Sequence, residues 1–314
     1  MTVVLTDTID RYVGLAADTK PTSPRAGSEF YETDSGGTYI YSGSAWALKA
    51  AGTFAILDQI VTILGGTKMA FYPLLTPVGG DVFPYGTGND GLVGIPSDES
   101  GVMLLEAEFD PIPLAGGVYA YYFDNSGNNH IVCADDAAYT HGNGSADTAF
   151  SMGAWIYPTE ALGSVRTIIA KFGTTAATSE EYDFRFDASG NLVLELHDPS
   201  VPATETGTGA SDVLVPFAWN FVTATYDGAQ GGPDVHLYRN ASDTLAAGTT
   251  IESGEYAAME DTGSEFMIGA RDASGTPKQE FEGYMALPFI TGKELTQANV
   301  SSLYALGQQL IGAA

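Results

Sequence analysis

The sequence predicts an all-β chain: a two-sheet antiparallel sandwich preceded by a small β-hairpin module and followed by a short helix. Three observations carry this. Phe150, Met152, Ala154 and Ile156 fall on one face of an extended strand and Trp155 and Tyr157 on the other, so the segment 149–158 is apolar on both sides and reads as a central strand. Pro158 ends it, because proline donates nothing to a sheet ladder. Short β-branched or aromatic runs then follow at 166–172, 182–186, 192–196, 219–226, 235–239, 266–271 and 281–290, each bounded by turn residues such as Asp187-Ala188-Ser189-Gly190-Asn191.

Composition narrows the function classes. The 314 residues contain no apolar run near the roughly 20 that a membrane helix needs, so no membrane insertion is expected. The start, Met1-Thr2-Val3-Val4-Leu5-Thr6-Asp7, lacks a basic region before a long apolar stretch, so no ordinary secretory signal is expected. The length suffices for one large domain plus a small one, folding without metal or disulfide. The one cysteine, Cys133, lies in a strand-like run and reads as a small buried hydrophobe. A net charge of −27 is the strongest compositional signal. Residues 1–52 hold 4 of the 12 basic and 6 of the 39 acidic residues, so the charge belongs to the remainder. Such a surface repels nucleic acid and anionic membranes and suits either a saline setting or an exposed particle surface.

Residues 1–52 form a module of their own. The run from Lys20 to Gly27 holds two prolines in four residues and stays extended. Residues 29–33 and 38–41 flank Asp34-Ser35-Gly36-Gly37, a hairpin signal, and Ser42-Gly43-Ser44-Ala45-Trp46 turns into a third short strand. The run from Gly27 to Trp46 resembles a short module common in structural proteins of tailed-virus particles. That resemblance implies a place on the virion surface, with capsid or tail proteins as partners.

Residues 53–68 read as a connector. A helix would put Ile56, Ile60 and Ile63 or Leu64 on one face, the β-branched content also permits a strand, and Gly65-Gly66 ends it either way. From 69 to 314 runs the large domain. Its first strand is Ala70-Phe71-Tyr72-Pro73-Leu74, and a glycine-rich loop continues through Gly94. Residues 120–132 read as strand, tight turn, strand, and resemble a hairpin of the laminin-G-like branch of the concanavalin A-like jelly rolls. The segments at 150–158, 168–171, 182–196, 219–228, 235–240, 266–271 and 281–286 follow in the order that family requires. The resemblance covers roughly residues 69–310 and implies a jelly-roll sandwich. At the end, Thr296 is an N-cap, Leu295 and Val300 a hydrophobic staple and Gly307 a C-cap for a helix burying Val300, Leu303 and Tyr304.

Jelly rolls of this kind also carry glycosidases, which need two carboxyl groups at fixed separation. Glu106, Glu108 and Asp110 share a strand face, but Pro111 and Pro113 follow at once and no further glutamate completes a catalytic strand; Glu195-Leu196-His197-Asp198 offers no better pair. No phosphate loop, metalloprotease or nucleophile-elbow motif is present, so no catalysis is expected. The laminin-G resemblance implies instead a calcium ion held by rim-loop oxygens. Asp81, Asn89 and Asp90 in the first loop and Asp124, Asn125 and Asn128 after the 120–123 strand are the candidates; the alternative is that these are ordinary turn-formers. Relatives usually place an aspartate where this sequence has Tyr85. His130, His141, His197 and His236 show no ligand spacing. The sequence thus reads as a non-enzymatic virion structural protein, a surface-displayed decoration or adhesion protein. A homo-oligomer is expected, a trimer favoured, since closed rings remove exposed edges. The runner-up is a tail-associated protein recognising host surface glycans, and a glycoside hydrolase comes third.

Overall fold

The computed structural model describes residues 10–33, 37–50, 52–65, 68–71, 81–82, 103–105, 112–125, 130–133, 135–173, 179–201, 203–209, 214–229, 235–245, 249–253, 255–272 and 277–312. The chain divides into two compact units, Met1–Ile60 and Val61–Ala314.

The first unit is built on a four-stranded sheet in the order Arg11–Gly14, Glu29–Glu32, Thr38–Tyr41, Trp46–Ala50. The last three are the strands expected from the sequence. Arg11–Gly14 is an addition, and it pairs parallel to Glu29–Glu32 while the other pairs are antiparallel. Trp46 explains why so small a sheet holds together. Its ring lies 5.3–6.2 Å from those of Tyr41, Phe30 and Tyr12, and its indole N–H donates to the Pro21 carbonyl at 2.8 Å, pinning the proline-rich approach. Lys20 Nζ sits 4.1 Å from the Tyr39 ring centre and 2.5 Å from Glu32 Oε1.

The connector is a helix, α1, over Thr53–Leu64. Ile56, Leu57, Ile60, Val61 and Leu64 are all buried, a stripe of helical period that outweighs the β-branched content. Its end is satisfied from the second unit's own strand: Thr291 Oγ1 donates to the carbonyls of Leu64 and Gly65 at 3.0 and 2.7 Å, and Lys293 Nζ to that of Ile63 at 3.1 Å.

The second unit is a two-sheet antiparallel sandwich, as the sequence predicts. One sheet has nine strands in the order Thr249–Ser253, Ala203–Thr208, Leu192–Asp198, Glu180–Phe186, Arg166–Phe172, Phe266–Ile268, Ile131–Cys133, Met103–Leu105, Asp81–Val82. The other has eight. Seven run in the order Ser242–Asp243, Val235–Arg239, Asn220–Tyr226, Phe150–Pro158, Gly283–Thr291, Tyr119–Phe123, Ile112–Pro113, and Met69–Phe71 pairs with Gly283–Thr291. Phe150–Pro158 is indeed central. Phe150, Met152, Ala154 and Ile156 enter the core with Tyr182, Phe184, Phe186, Leu192, Leu194 and Leu196 from the facing sheet. Gly153 lies on the opposite face, where a Cβ would meet the Phe289 ring at 2.8 Å and the Val222 carbonyl at 2.5 Å. Cys133 is in the core.

Three expectations need correction. Residues 120–132 are not a hairpin: Tyr119–Phe123 pairs with Gly283–Thr291 in the eight-stranded sheet, whereas Ile131–Cys133 pairs with Phe266–Ile268 and Met103–Leu105 in the other. Long-range partners, which a local turn signal cannot reveal, decide that pairing. The strand beginning at Phe266 stops at Ile268 because Gly269 turns at φ +85°, and the Phe123 ring packs where its Cβ would be. The last helix, α2 (Gln297–Ile311), starts at Thr296 with a reciprocal capping box to Asn299, but its C-cap is Gly312, φ +75°. Gly307 lies within the helix, where a Cβ would fall 2.1 Å from Trp155 Nε1. It is there for close approach, not termination. Tyr304 stacks on Trp155 at 5.4 Å and 14°, so α2 buries the tryptophan.

Candidate functional site

The β-alternation that sends Tyr182, Phe184 and Phe186 inward sends Asp183 and Arg185 to the outer face of the nine-stranded sheet, and that of Leu194 and Leu196 does the same for Glu195 and His197. Asp183 and Glu195 are directly opposite in the ladder, an arrangement that like charges disfavour. Arg185 resolves it: Nη1 lies 3.1 Å from Asp183 Oδ2 and Nη2 pairs with Glu195. Arg271 adds a second guanidinium, Nη1 3.1 Å from the same Asp183 oxygen, and Thr167 Oγ1 donates to the other oxygen at 3.1 Å. The Arg271 guanidinium stands 4.4 Å from the Phe172 ring centre, and the His197 ring meets Phe172 edge-on at 5.0 Å. His197 Nδ1 is 3.1 Å from Glu180 Oε2. Burial pushes the Asp183 carboxyl up from its ordinary value, against the opposing pull of Arg185 and Arg271.

Beside this cluster Lys171 is wholly buried. It pairs with Glu181, lies 2.9 Å from Asp135 and donates to the Thr262 carbonyl at 3.1 Å. Glu181 also accepts from Thr262 N at 2.9 Å and Oγ1 at 2.7 Å, and burial again pushes its carboxyl up. Two further carboxylates hold the segment leading to Thr262. Asp147 accepts from the hydroxyls of Tyr226 and Tyr256 at 3.0 and 2.6 Å and from Met259 N at 2.8 Å; Asp198 accepts from Ser200 Oγ at 2.7 Å and Ala257 N at 3.1 Å. His141 stacks flat on Phe150 at 4.5 Å, and burial, helped by Lys68 and Lys171, lowers its pKa to about 3, so it is a neutral core ring.

Chemically, the outer face carries a network of charged and hydrogen-bonded side chains beside the Phe172 ring, with Asp183 and Glu195 engaged by internal donors. The array was not among the residues expected to bind. Alternation revealed the outward placement of Asp183 and Arg185, but Arg271 and His197 join only through pairing across the sheet. Of the expected calcium ligands, Asp81, Asp124 and Asn125 fall among the described residues. Asp81 opens an edge strand of the nine-stranded sheet, its backbone opposite Leu104. Asp124 and Asn125 follow a strand of the eight-stranded sheet, and Asn125 Nδ2 donates to Glu282 Oε2 at 2.5 Å. Asn89, Asp90 and Asn128, like Glu106, Glu108 and Asp110, lie outside the described residues. Among those described, no three His, Cys, Asp or Glu side chains form a metal-holding group.

The fold and this face can be set against known proteins. No curated protein matches the sequence. Among solved structures, the chain resembles the binding domain of Paraclostridial mosquitocidal protein 1 (10% identity, TM-score 0.53, 77% of this chain and 52% of that one). It resembles the botulinum neurotoxin serotype G binding domain similarly (14% identity, TM-score 0.52, 78% and 51%). Domain 4 of an extracellular arabinanase from Geobacillus stearothermophilus, in complex with arabinotriose, also matches (15% identity, TM-score 0.42, 63% and 82%). The chain thus spans about half the length of the two toxin domains. A laminin-G-type family model, described as the concanavalin A-like lectin/glucanases superfamily, matches residues 126–301. With more than half of its length matched in this way, and with the sandwich that the match requires, the chain belongs to the concanavalin A-like lectin/glucanases superfamily.

Proposed function

We propose that this chain is a non-enzymatic, lectin-like adhesion protein of a virus particle surface, its sandwich recognising saccharide and its N-terminal unit making the attachment. The observation that carries binding over catalysis is the engagement of the carboxylates on the outer face and of Glu181 beside it. Asp183, Glu181 and Glu195 are held by Arg185, Arg271, Lys171 and Thr262, so none of these three, among the described residues, is free to serve as acid or nucleophile. The two toxin domains of similar fold are named as binding domains, in keeping with this reading. The virion role rests on the resemblance of residues 27–46 to a virus-particle module, and on an acidic surface suited to display in many copies. A trimer and a rim calcium ion with Asp81 and Asp124 among its ligands belong to the same proposal.

The test is to incubate the whole chain with a panel of immobilised polysaccharides and follow retention and reducing-end release together. Retention without release is expected; release at a turnover above background overturns the non-enzymatic reading. Imaging particles with and without the protein tests its location.

A further inference from the structure

On the outer face of the eight-stranded sheet, two residues beyond Trp155, the register aligns Tyr157 with Tyr284 and Tyr284 with Tyr122 across three neighbouring strands. Trp219 extends the row on the other side. Ring centres are 5.6 Å apart for Trp219 and Tyr157, 6.3 Å for Tyr157 and Tyr284 and 5.0 Å for Tyr284 and Tyr122, with ring planes tilted 55–69°. All four rings are half-buried, so each retains an exposed portion. Cross-strand packing accounts for the spacing but not for leaving four large rings in a line open to solvent.

The row is one residue wide and has polar borders. On its strand, Trp155 lies beneath α2. Beyond Tyr284 comes Glu282, bonded to Asn125, and near it the bidentate pair of Arg166 with Glu160, at 2.5 and 2.8 Å. The end of the row is strained. Phe217 adopts φ +57°, a left-handed conformation costly for a bulky side chain, yet the residue is 59% exposed. Its N–H donates to the Pro158 carbonyl at 2.8 Å, and Asn220 clamps the loop through Val215 N, Val215 O and Ala218 O at 2.7–3.1 Å. That clamp holds an exposed apolar residue two positions before Trp219 in the chain.

We propose that Trp219, Tyr157, Tyr284 and Tyr122, extended by Phe217, form a platform for a neutral saccharide chain laid across the strands. This rests on the lectin-like reading above and names the ligand class and site. A sugar ring has an apolar C–H face that fits an aromatic face and hydroxyls at its edge that fit phenol, amide, carboxylate and guanidinium groups. A strip one ring wide with such borders matches that chemistry, whereas a protein partner calls for a broader apolar patch. Glu282, two residues before Tyr284, disfavours an anionic chain.

The test uses the whole chain against laminarin, mannan, dextran and arabinan as neutral probes and alginate as the anionic one, read by affinity electrophoresis and by indole fluorescence. The wild type is expected to bind at least one neutral polymer more tightly than alginate. Tyr157→Ala with Tyr284→Ala should weaken that binding more than tenfold, and Phe217→Ser, at an exposed position, should weaken it several-fold with an unchanged melting temperature. Trp219→Phe should abolish the fluorescence response while binding persists, and Val201→Ser, exposed elsewhere, should change nothing. Neutral-polymer binding that survives both Phe217→Ser and the tyrosine pair overturns the platform and leaves the lectin-like reading standing. No binding to any polymer by the wild type overturns both, and a preference for alginate overturns the ligand class.

Discussion

The two outer faces of the sandwich handle exposure in different ways. At the centre of the nine-stranded sheet, Asp183, Arg185, Glu195 and Arg271 are charged groups on a sheet surface whose neighbours Phe172, Val193 and Met267 are buried, and they are satisfied by one another. On the eight-stranded sheet the centre is apolar, with Phe221 in contact with both Trp155 and Phe289 and Tyr304 of α2 laid on Trp155 and Phe221. Only past the covered zone do rings emerge, as the row from Trp219 to Tyr122. A charged face must close its network because a buried unpaired ion costs several kcal/mol, whereas an aromatic face can stay partly open at small cost. The open aromatic strip is therefore where a ligand finds surface not already engaged.

The comparison breaks most sharply at Trp155. Trp155→Ala removes the ring on which Tyr304 and Phe221 pack, and a loss of about 3–5 kcal/mol is expected by cavity formation, measured by urea denaturation. A loss below about 1 kcal/mol would place α2 away from the sheet. The charged face should respond somewhat less. Asp183→Ala takes the carboxylate from Arg271 and leaves Arg185 with Glu195 alone; the two guanidinium side chains are partly screened at 22% and 16% exposure, so about 3 kcal/mol is expected, the lower end for a broken buried pair. If the double substitution of Asp183 and Arg271 to apolar residues costs no less than Asp183→Ala, the stranded cation is not the cause.

The smallest effect is one of pH. Burial alone would raise the Asp198 carboxyl, but hydrogen bonds from Ser200, Ala257, Ala258 and Val201 outweigh it and hold the group below its ordinary value. A depressed folded value means stability present above the unfolded pKa of about 3.9 and lost as pH falls through the folded one. Asp147, Glu181 and Asp183 are shifted the other way, chiefly by burial, so their contribution is present in acid and declines as pH rises through their folded values. Melting temperature followed below pH about 4 should fall less steeply for Asp198→Asn than for the wild type. Parallel curves would show that Asp198 is not the acid-sensitive clamp of residues 255–258.

Strands with an apolar inward face were legible from sequence: 166–172 and 235–239 appear at the residues expected, and 150–158 and 192–198 within two residues. Ala203–Thr208 and Thr249–Ser253 were not, because threonine-rich strands at the sheet edge carry little apolar alternation. Gly307 was misread for a related reason. A glycine near a helix end looks like a cap, and only the tryptophan on another strand shows that it marks close approach.

By itself the sequence determined which residues face inward along each strand, since period-two alternation and turn chemistry are local properties of the chain. It also determined the strong negative charge and the Thr296 cap. Tertiary structure alone decided which sheet each strand joins, as with 119–123 and 131–133, because each has one pairing partner more than a hundred residues away. The same holds for both surfaces argued here. Asp183 meets Arg271, Tyr157 meets Tyr284 and Tyr284 meets Tyr122 only once strands distant in the chain are brought into register, and register is fixed by burying the facing side of each strand.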